Sequence, residues 1–275
     1  MRWNANCLAL AAMVFAGCTT LGPGTADRLY VFAVGECHTT DLANWSAADA
    51  GKPWVFANHC YLIRHGTDLL LWDTGFSDEL AKGGRDLGSL QIRVEHPLAE
   101  QLEALGVRPD DVTHLALSHL HLDHAGNANL FPNATLYLQR REHEAGFGPQ
   151  PQRFGFDPAT YGKLRDSKTV LLDGDHDVFG DGSVVILSTP GHTPGHQSLL
   201  VRLRTTGAVV LSGDIAHLRS NWQYRRTPAS NFDREQSVRS MARIQAVLER
   251  ERALLVIHHD RGQSLTLPKA PGFLK

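Results

Sequence analysis

The sequence predicts an α/β fold in which two packed β-sheets are flanked by helices, and three observations carry that prediction. Apolar runs of strand length alternate with helical segments, as in layered α/β architecture. The second half of the chain restates the first in outline. The residues able to do metal chemistry follow directly on predicted strands. With 275 residues, 42% of them apolar, the chain can bury one substantial core or two halves sharing one. A net charge of -2 with dispersed basic residues gives no footprint for a nucleic-acid partner.

The N-terminus reads as a targeting segment. One positive charge in Met1-Arg2-Trp3 precedes an apolar run over 8–15, too short for a permanent membrane span. Phe15-Ala16-Gly17-Cys18 resembles a bacterial lipoprotein signal, with Phe15 where Leu is usual. That resemblance implies a signal peptide over 1–17, a lipid anchor at Cys18 and a Gly- and Thr-rich tether over 18–27. Thr19 after the cysteine favours the outer membrane, so the expected location is the periplasm. A single domain over 28–275 follows. Its cysteines are Cys37 and Cys60, which an oxidising compartment lets either bridge or stay as free thiols.

The alternation of Leu29, Val31 and Ala33 with Tyr30 and Phe32 predicts the first strand. A polar, acidic loop runs through Asp41 and Trp45 to Lys52. Two apolar runs flanking His65-Gly66-Thr67-Asp68 predict a hairpin, and it ends in Asp73-Thr74-Gly75, where the chain turns into a loop over the site. Pro97 opens a helix whose Leu98, Leu102 and Leu105 share a face before Gly106 stops it. A buried strand over 113–117 leads into Ser118-His119-Leu120-His121-Leu122-Asp123-His124. Period two would turn His119 and His121 one way, while a tight loop at Leu122-Asp123 lets Asp123 and His124 face a second position. One short segment thereby serves two metals.

Strand 136–138 and a helical turn over 139–144 come next, and then 146–161, rich in Gly, Pro and Phe, reads as a loop or lid near the pocket. Strands are predicted over 169–172, 184–187, 198–203 and 208–211. Asp233 caps a helix, with Gln236 reaching back, that carries Val238, Met241, Ile244, Val247 and Leu248 on one face. The last buried strand, 254–257, delivers His258-His259-Asp260.

A dinuclear site needs another imidazole, a carboxylate able to bridge and a final ligand. They appear in order as His192 in a Pro- and Gly-fixed loop, Asp214 after a strand, and His259 after the last strand. His258 is turned the other way by period two, and His196 reads as a residue that fixes its loop. His65 and His114, on strands, read as ordinary. Trp222, Tyr224 and Phe147 are either core residues or the lining of an acyl pocket.

The set His119-x-His121-x-Asp123-His124, His192, Asp214 and His259 resembles the metallo-β-lactamase superfamily across nearly the whole mature chain. The resemblance implies an αβ/βα sandwich with metals at one edge. It assigns His119, His121 and His192 to one metal, Asp123, His124 and His259 to the other, and Asp214 to both. Within the superfamily, Asn58-His59-Cys60-Tyr61-Leu62-Ile63, Leu71-Trp72-Asp73-Thr74-Gly75, the stretch from Gly191 through Ser198 and the ending His259-Asp260 look most like the N-acyl homoserine lactonases. His217 stands where those enzymes place a tyrosine three residues after the bridging aspartate.

The implied chemistry is opening of a lactone ring by a hydroxide held between two divalent ions, for which imidazole and carboxylate donors suit zinc. Asp123 would carry the proton, and His217 would donate to the substrate carbonyl. The alternatives are an organophosphate or aryl-ester hydrolase on the same site and a non-catalytic metal-binding lipoprotein. Asp214 argues against the β-lactamases sharing the first motif, since those lack a bridging carboxylate. The short stretch after His259 leaves no room for the helical domain of a glutathione-thioester hydrolase.

Overall fold

The structure is a computed structural model and describes residues 23–275. The expected signal peptide over 1–17, Cys18 and the first half of the expected tether, 18–22, lie outside the described residues. Strands β1 (Arg28–Thr39), β2 (Trp54–His65), β3 (Asp68–Trp72), β4 (Arg85–Asp86), β5 (Leu90–Arg93), β6 (His114–Ala116), β7 (Thr135–Gln139) and β8 (Thr169–Leu172) form the first sheet. Their order is β4-β5-β1-β2-β3-β6-β7-β8. Strands β9 (His176–Asp177), β10 (Val184–Ser188), β11 (Gln197–Leu203), β12 (Gly207–Leu211) and β13 (Leu254–Val256) form the second, in the order β13-β12-β11-β10-β9. A last strand, β14 (Phe273–Leu274), pairs with β1. Both sheets are mixed. β3, β6, β7 and β8 run parallel, as do β12 and β13, and the remaining pairings are antiparallel.

Both faces of the first sheet are covered, so its strands read as unbroken apolar runs. In Leu69-Leu70-Leu71-Trp72, Leu69 and Leu71 enter a core shared with α1 (Leu98–Ala104), whereas Leu70 and Trp72 face the second sheet. The same alternation sends Phe32 outward and Leu29 and Val31 inward to meet Leu199, Val201 and Val209. On its other face the second sheet packs Leu200 and Val210 against Met241, Ile244 and Val247 of α5, where α5 is the fifth helix (Arg234–Glu251). The intervening helices are α2 (Arg140–Phe147), α3 (Pro158–Tyr161) and α4 (Arg219–Tyr224), and α6 (Arg261–Ser264) follows β13. The result is helix, sheet, sheet, helix, the predicted αβ/βα sandwich. Each fully buried Leu, Ile or Val in these layers contributes about 1.5–3 kcal/mol.

Several expectations are corrected. Asp233 caps α5 by accepting from the Gln236 N–H at 2.8 Å, but the Gln236 side-chain oxygen has no partner, so the reciprocal bond of a capping box is absent. Val238 is 38% exposed, rotated off the core face held by Met241, Ile244 and Val247. The segment 146–161 is ordered by short helices. A 3-10 turn at Pro151–Phe154 and α3 each start on a proline, Asp157 caps α3, and the Tyr161 hydroxyl donates to the Gly146 carbonyl. These turns are too short to display a period. Residues 24–27, read as the end of the tether, belong to the domain. Gly24 and Ala26 donate backbone hydrogen bonds to Asp181 and Arg202, and Ala26 is fully buried. Cys37 and Cys60 are free thiols, Cys60 within the outer core of the first sheet.

Candidate metal centre

Strand β6 stops at Ala116, so His119 and His121 sit on a loop and not on a period-two strand as expected. What orients them is a buried carboxylate on the neighbouring strand end. Asp73 follows β3 with a left-handed φ of 57°, an unusual conformation for a residue with a Cβ. Its Oδ1 accepts the Ser118 N–H at 2.6 Å, and its Oδ2 accepts the Ser118 hydroxyl at 2.9 Å and Nδ1 of His124 at 3.0 Å. Ser118 Oγ in turn accepts Nδ1 of His119 at 3.0 Å.

The other histidines are fixed in the same way, through the nitrogen that faces away from the centre. Nε2 of His121 donates to the Phe154 carbonyl, Nδ1 of His192 to Asn231 Oδ1 and Nδ1 of His259 to the Ala57 carbonyl, at 2.9, 3.0 and 2.8 Å. Each of these rings therefore presents a lone pair inward. Asn58 holds the Asp123 carbonyl at 2.8 Å. His196 accepts the Asp214 N–H at 2.8 Å and donates to the Thr189 carbonyl, which seats the carboxylate between the histidine loops. At Gly191 a Cβ would lie 2.3 Å from the Ser237 nitrogen, and φ is +135°, so only glycine lets the His192 loop cross the start of α5.

All seven predicted ligands converge. Nδ1 of His121 is 2.9 Å from Nε2 of His119 and 3.1 Å from Nε2 of His192. Asp214 Oδ2 lies 3.4 Å from His192 and 3.8 Å from His119, whereas Oδ1 lies 3.2 Å from His124 and 3.1 Å from His259. Asp123 Oδ2 is 3.5 Å from His259 and 3.7 Å from His124. Donor atoms ~2.0–2.1 Å from a tetrahedral zinc are about 3.3 Å apart, close to these separations. Nε2 of His124 and Oδ1 of Asp214 are also buried without a hydrogen-bond partner, a costly state that a cation relieves. The donor set fits two cations, with Asp214 turned to both.

The electrostatics agree. Burial holds His119 and His192 well below the usual imidazole range, neutral as ligands must be. Burial also opposes charge on His124, but Asp214, Asp123 and Asp73 outweigh it and raise its pKa well above the ordinary value. His259 is raised in the same sense by Asp214 and Asp123 against its burial. Three carboxylates among buried imidazoles draw positive charge into the centre, as protons or as metal ions.

His217 reaches the centre as well, its Nε2 3.0 Å from Asp214 Oδ2 and its ring stacked on His259. His258 is not turned fully away. Its ring packs 4.4 Å from that of His124, although Asn58 is its polar neighbour at 3.4 Å. A cavity of about 220 Å³ opens over Asp123, Asp214, His217 and His259, with apolar walls that include Trp45, Phe56, Phe76, Leu87 and Ile92. Trp222, Tyr224 and Phe147 are not among them. Trp222 packs beside α5, Tyr224 is 58% exposed, and Phe147 packs against Tyr161. The segment 146–161 reaches the centre through Arg153, Phe154 and Gly155, which line an adjoining cavity of about 280 Å³ with His121 and His192. Asp73, Ser118 and Asn231, which orient the ligands, are not among the residues the sequence motifs single out. Only the strand-ending Asp73-Thr74-Gly75 offered a signal.

This constellation, set where the strands of an αβ/βα sandwich end, defines a metal-dependent hydrolase. The chain belongs to the metallo-beta-lactamase superfamily, whose sequence profile it matches over residues 53–255. It is 33% identical to the N-acyl homoserine lactonase AttM of Azorhizobium caulinodans, over 90% of this chain and 99% of that protein. It is 29% identical to the N-acyl homoserine lactonase AiiA of Bacillus thuringiensis subsp. kurstaki, over 91% of this chain and 100% of the relative. A solved N-acyl homoserine lactone hydrolase, with N-hexanoyl-L-homoserine bound at its catalytic metal center, superposes with a TM-score of 0.79 at 28% identity. The match covers 91% of this chain and 100% of that one.

Proposed function

We propose that this chain hydrolyses N-acyl homoserine lactones, opening the lactone ring at a pair of metal ions. The observation that carries the reading is Asp214, whose two oxygens face two separate histidine groups beneath an apolar cavity. His119, His121 and His192 would hold one ion and Asp123, His124 and His259 the other, with Asp214 facing both groups. Zinc suits five imidazoles and two carboxylates. When bound, such a pair would supply Lewis acidity toward a carbonyl oxygen and lower the pKa of a water toward neutrality.

The chain's own residues do the rest. The side chain of Asp123 is 24% exposed at the cavity floor, where it can take a proton from the attacking water and return it to the ring alkoxide. Nε2 of His217 lies 3.0 Å from Asp214 Oδ2, and the ring, turned toward the cavity, would donate to the carbonyl oxygen of the substrate. Trp45, Phe56, Leu87 and Ile92 receive the acyl chain and exclude water from it. The similarity to lactonases over their whole length supports this substrate class. The reading includes a lipid anchor at Cys18 and an outer-membrane, periplasmic location, supported by the sequence Phe15-Ala16-Gly17-Cys18.

A substrate panel tests it: homoserine lactones of short and long acyl chain, an aryl ester, a phosphotriester and a β-lactam. The lactones are expected to turn over with the highest kcat/KM. A preference for the phosphotriester or aryl ester would move the assignment to that class.

A further inference from the structure

Outside the ligand set, one buried carboxylate stands between the two loops that carry the three-histidine position. Glu142 lies in the first turn of α2 and is fully buried. Its Oε1 accepts the Leu120 N–H at 3.1 Å, and Leu120 sits between His119 and His121. Its Oε2 accepts the Thr193 hydroxyl and the Gly195 N–H, each at 2.8 Å, and Thr193 follows His192. The loops are also seated on α2 sterically. A Cβ on Gly195 would lie 2.4 Å from the Glu142 nitrogen, and one on Gly146 would lie 2.1 Å from Leu120 Cδ1. No Lys or Arg is within ion-pair distance of Glu142 among the described residues, so the carboxylate is held by these three donors alone. A buried carboxylate with no cation is expensive to keep. The donors it satisfies belong to the two loops whose spacing decides whether His119, His121 and His192 converge.

We propose that Glu142 is a positioning residue for the three-histidine metal position, fixing the distance between the 119–121 and 192–195 loops and thereby setting that position's affinity apart from the other's. Asp123, His124 and His259 are fixed by different groups, namely Asn58, Asp73 and the Ala57 carbonyl, and have no bond to Glu142. The inference rests on the reading of His119, His121 and His192 as donors to one ion.

Glu142→Gln is the test, because it keeps the shape while turning an NH2 group toward N–H or O–H donors. The protein is stripped with chelator and titrated with Co2+, following calorimetry and the cobalt absorption bands, with melting of the metal-free form as the control for folding. Wild type is expected to take two ions per chain. Glu142→Gln is expected to take one as wild type does and the second at least tenfold more weakly. Its turnover should return at excess metal with KM for the lactone unchanged. Thr193→Val, which removes one of the three donors, is expected to weaken the same ion by a smaller factor, and it serves alone if Glu142→Gln does not fold. Unchanged affinities in a folded variant, or equal weakening of both ions with a lowered melting temperature, overturn the proposal. Fewer than two ions on wild type overturns the site reading beneath it.

Discussion

Nε2 of His217 lies 3.0 Å from Oδ2 of Asp214, so the residue standing where related lactonases place a tyrosine is joined to the carboxylate that faces both metal positions. His217→Ala should lower kcat/KM on a lactone by about 10²–10³, the cost of losing a donor to a developing oxyanion. Metal content, measured by mass spectrometry of the elements, should stay near that of wild type. Unchanged turnover across the pH range would show that His217 is not a carbonyl partner.

Asp73 touches no reacting atom, yet it orients His124 directly and His119 through Ser118. Asp73→Asn replaces an acceptor with an amide donor at Ser118 and His124. A loss of about 10–100-fold in metal affinity is expected, read by competition with a chelator. Retention of wild-type affinity would place the orientation of these rings elsewhere.

The residues that bind metal and the residues that aim them were not equally legible. Five histidines and two aspartates in a fixed order are chemically rare, so His119 through His259 could be read directly. Asp73 and Glu142 are single carboxylates after a strand and at a helix start, positions where a solvated acid is ordinary. Only their burial sets them apart, and that is a property of the packing. The wall residue Trp45 lay hidden for a related reason, since it belongs to a polar loop that the fold lays over the cavity. The strands read well because a sheet covered on both faces writes unbroken apolar runs, as in β3. The exposed Val238 shows the limit, since one apolar residue on an amphipathic helix does not say where the stripe ends.

Trp45 and Leu87 wall the cavity, whereas Phe147 does not. Trp45→Ala and Leu87→Ala should raise KM for long-chain lactones more than for short ones, since each buried methylene is worth about 0.8 kcal/mol. Phe147→Ala should leave the chain-length profile flat relative to wild type. Steady-state kinetics on a C4 to C12 series decides it.

Burial pushes the Glu142 carboxyl from its ordinary 4.5 up to about 7. Between those values the folded state keeps a proton that the unfolded chain has released. Glu142 therefore contributes stability in full below pH 4.5, and that contribution is lost as pH rises toward 7, at about 1.4 kcal/mol per unit. In chelator, Glu142→Gln should gain on wild type by roughly 2–3 kcal/mol between pH 5 and 7. Urea unfolding at the two pH values measures this, and a difference independent of pH contradicts it.

The central claim is that Asp214 joins two metal ions into one hydrolytic centre for lactones. Turnover of N-hexanoyl homoserine lactone measured against bound metal tests it most directly. Activity is expected to reach its maximum at two ions per chain, to vanish with chelator, to return with zinc, and to fall by at least about 10³ in Asp214→Asn, which retains one ion at most. Full metal loading without lactone hydrolysis, or undiminished turnover in Asp214→Asn, would contradict it.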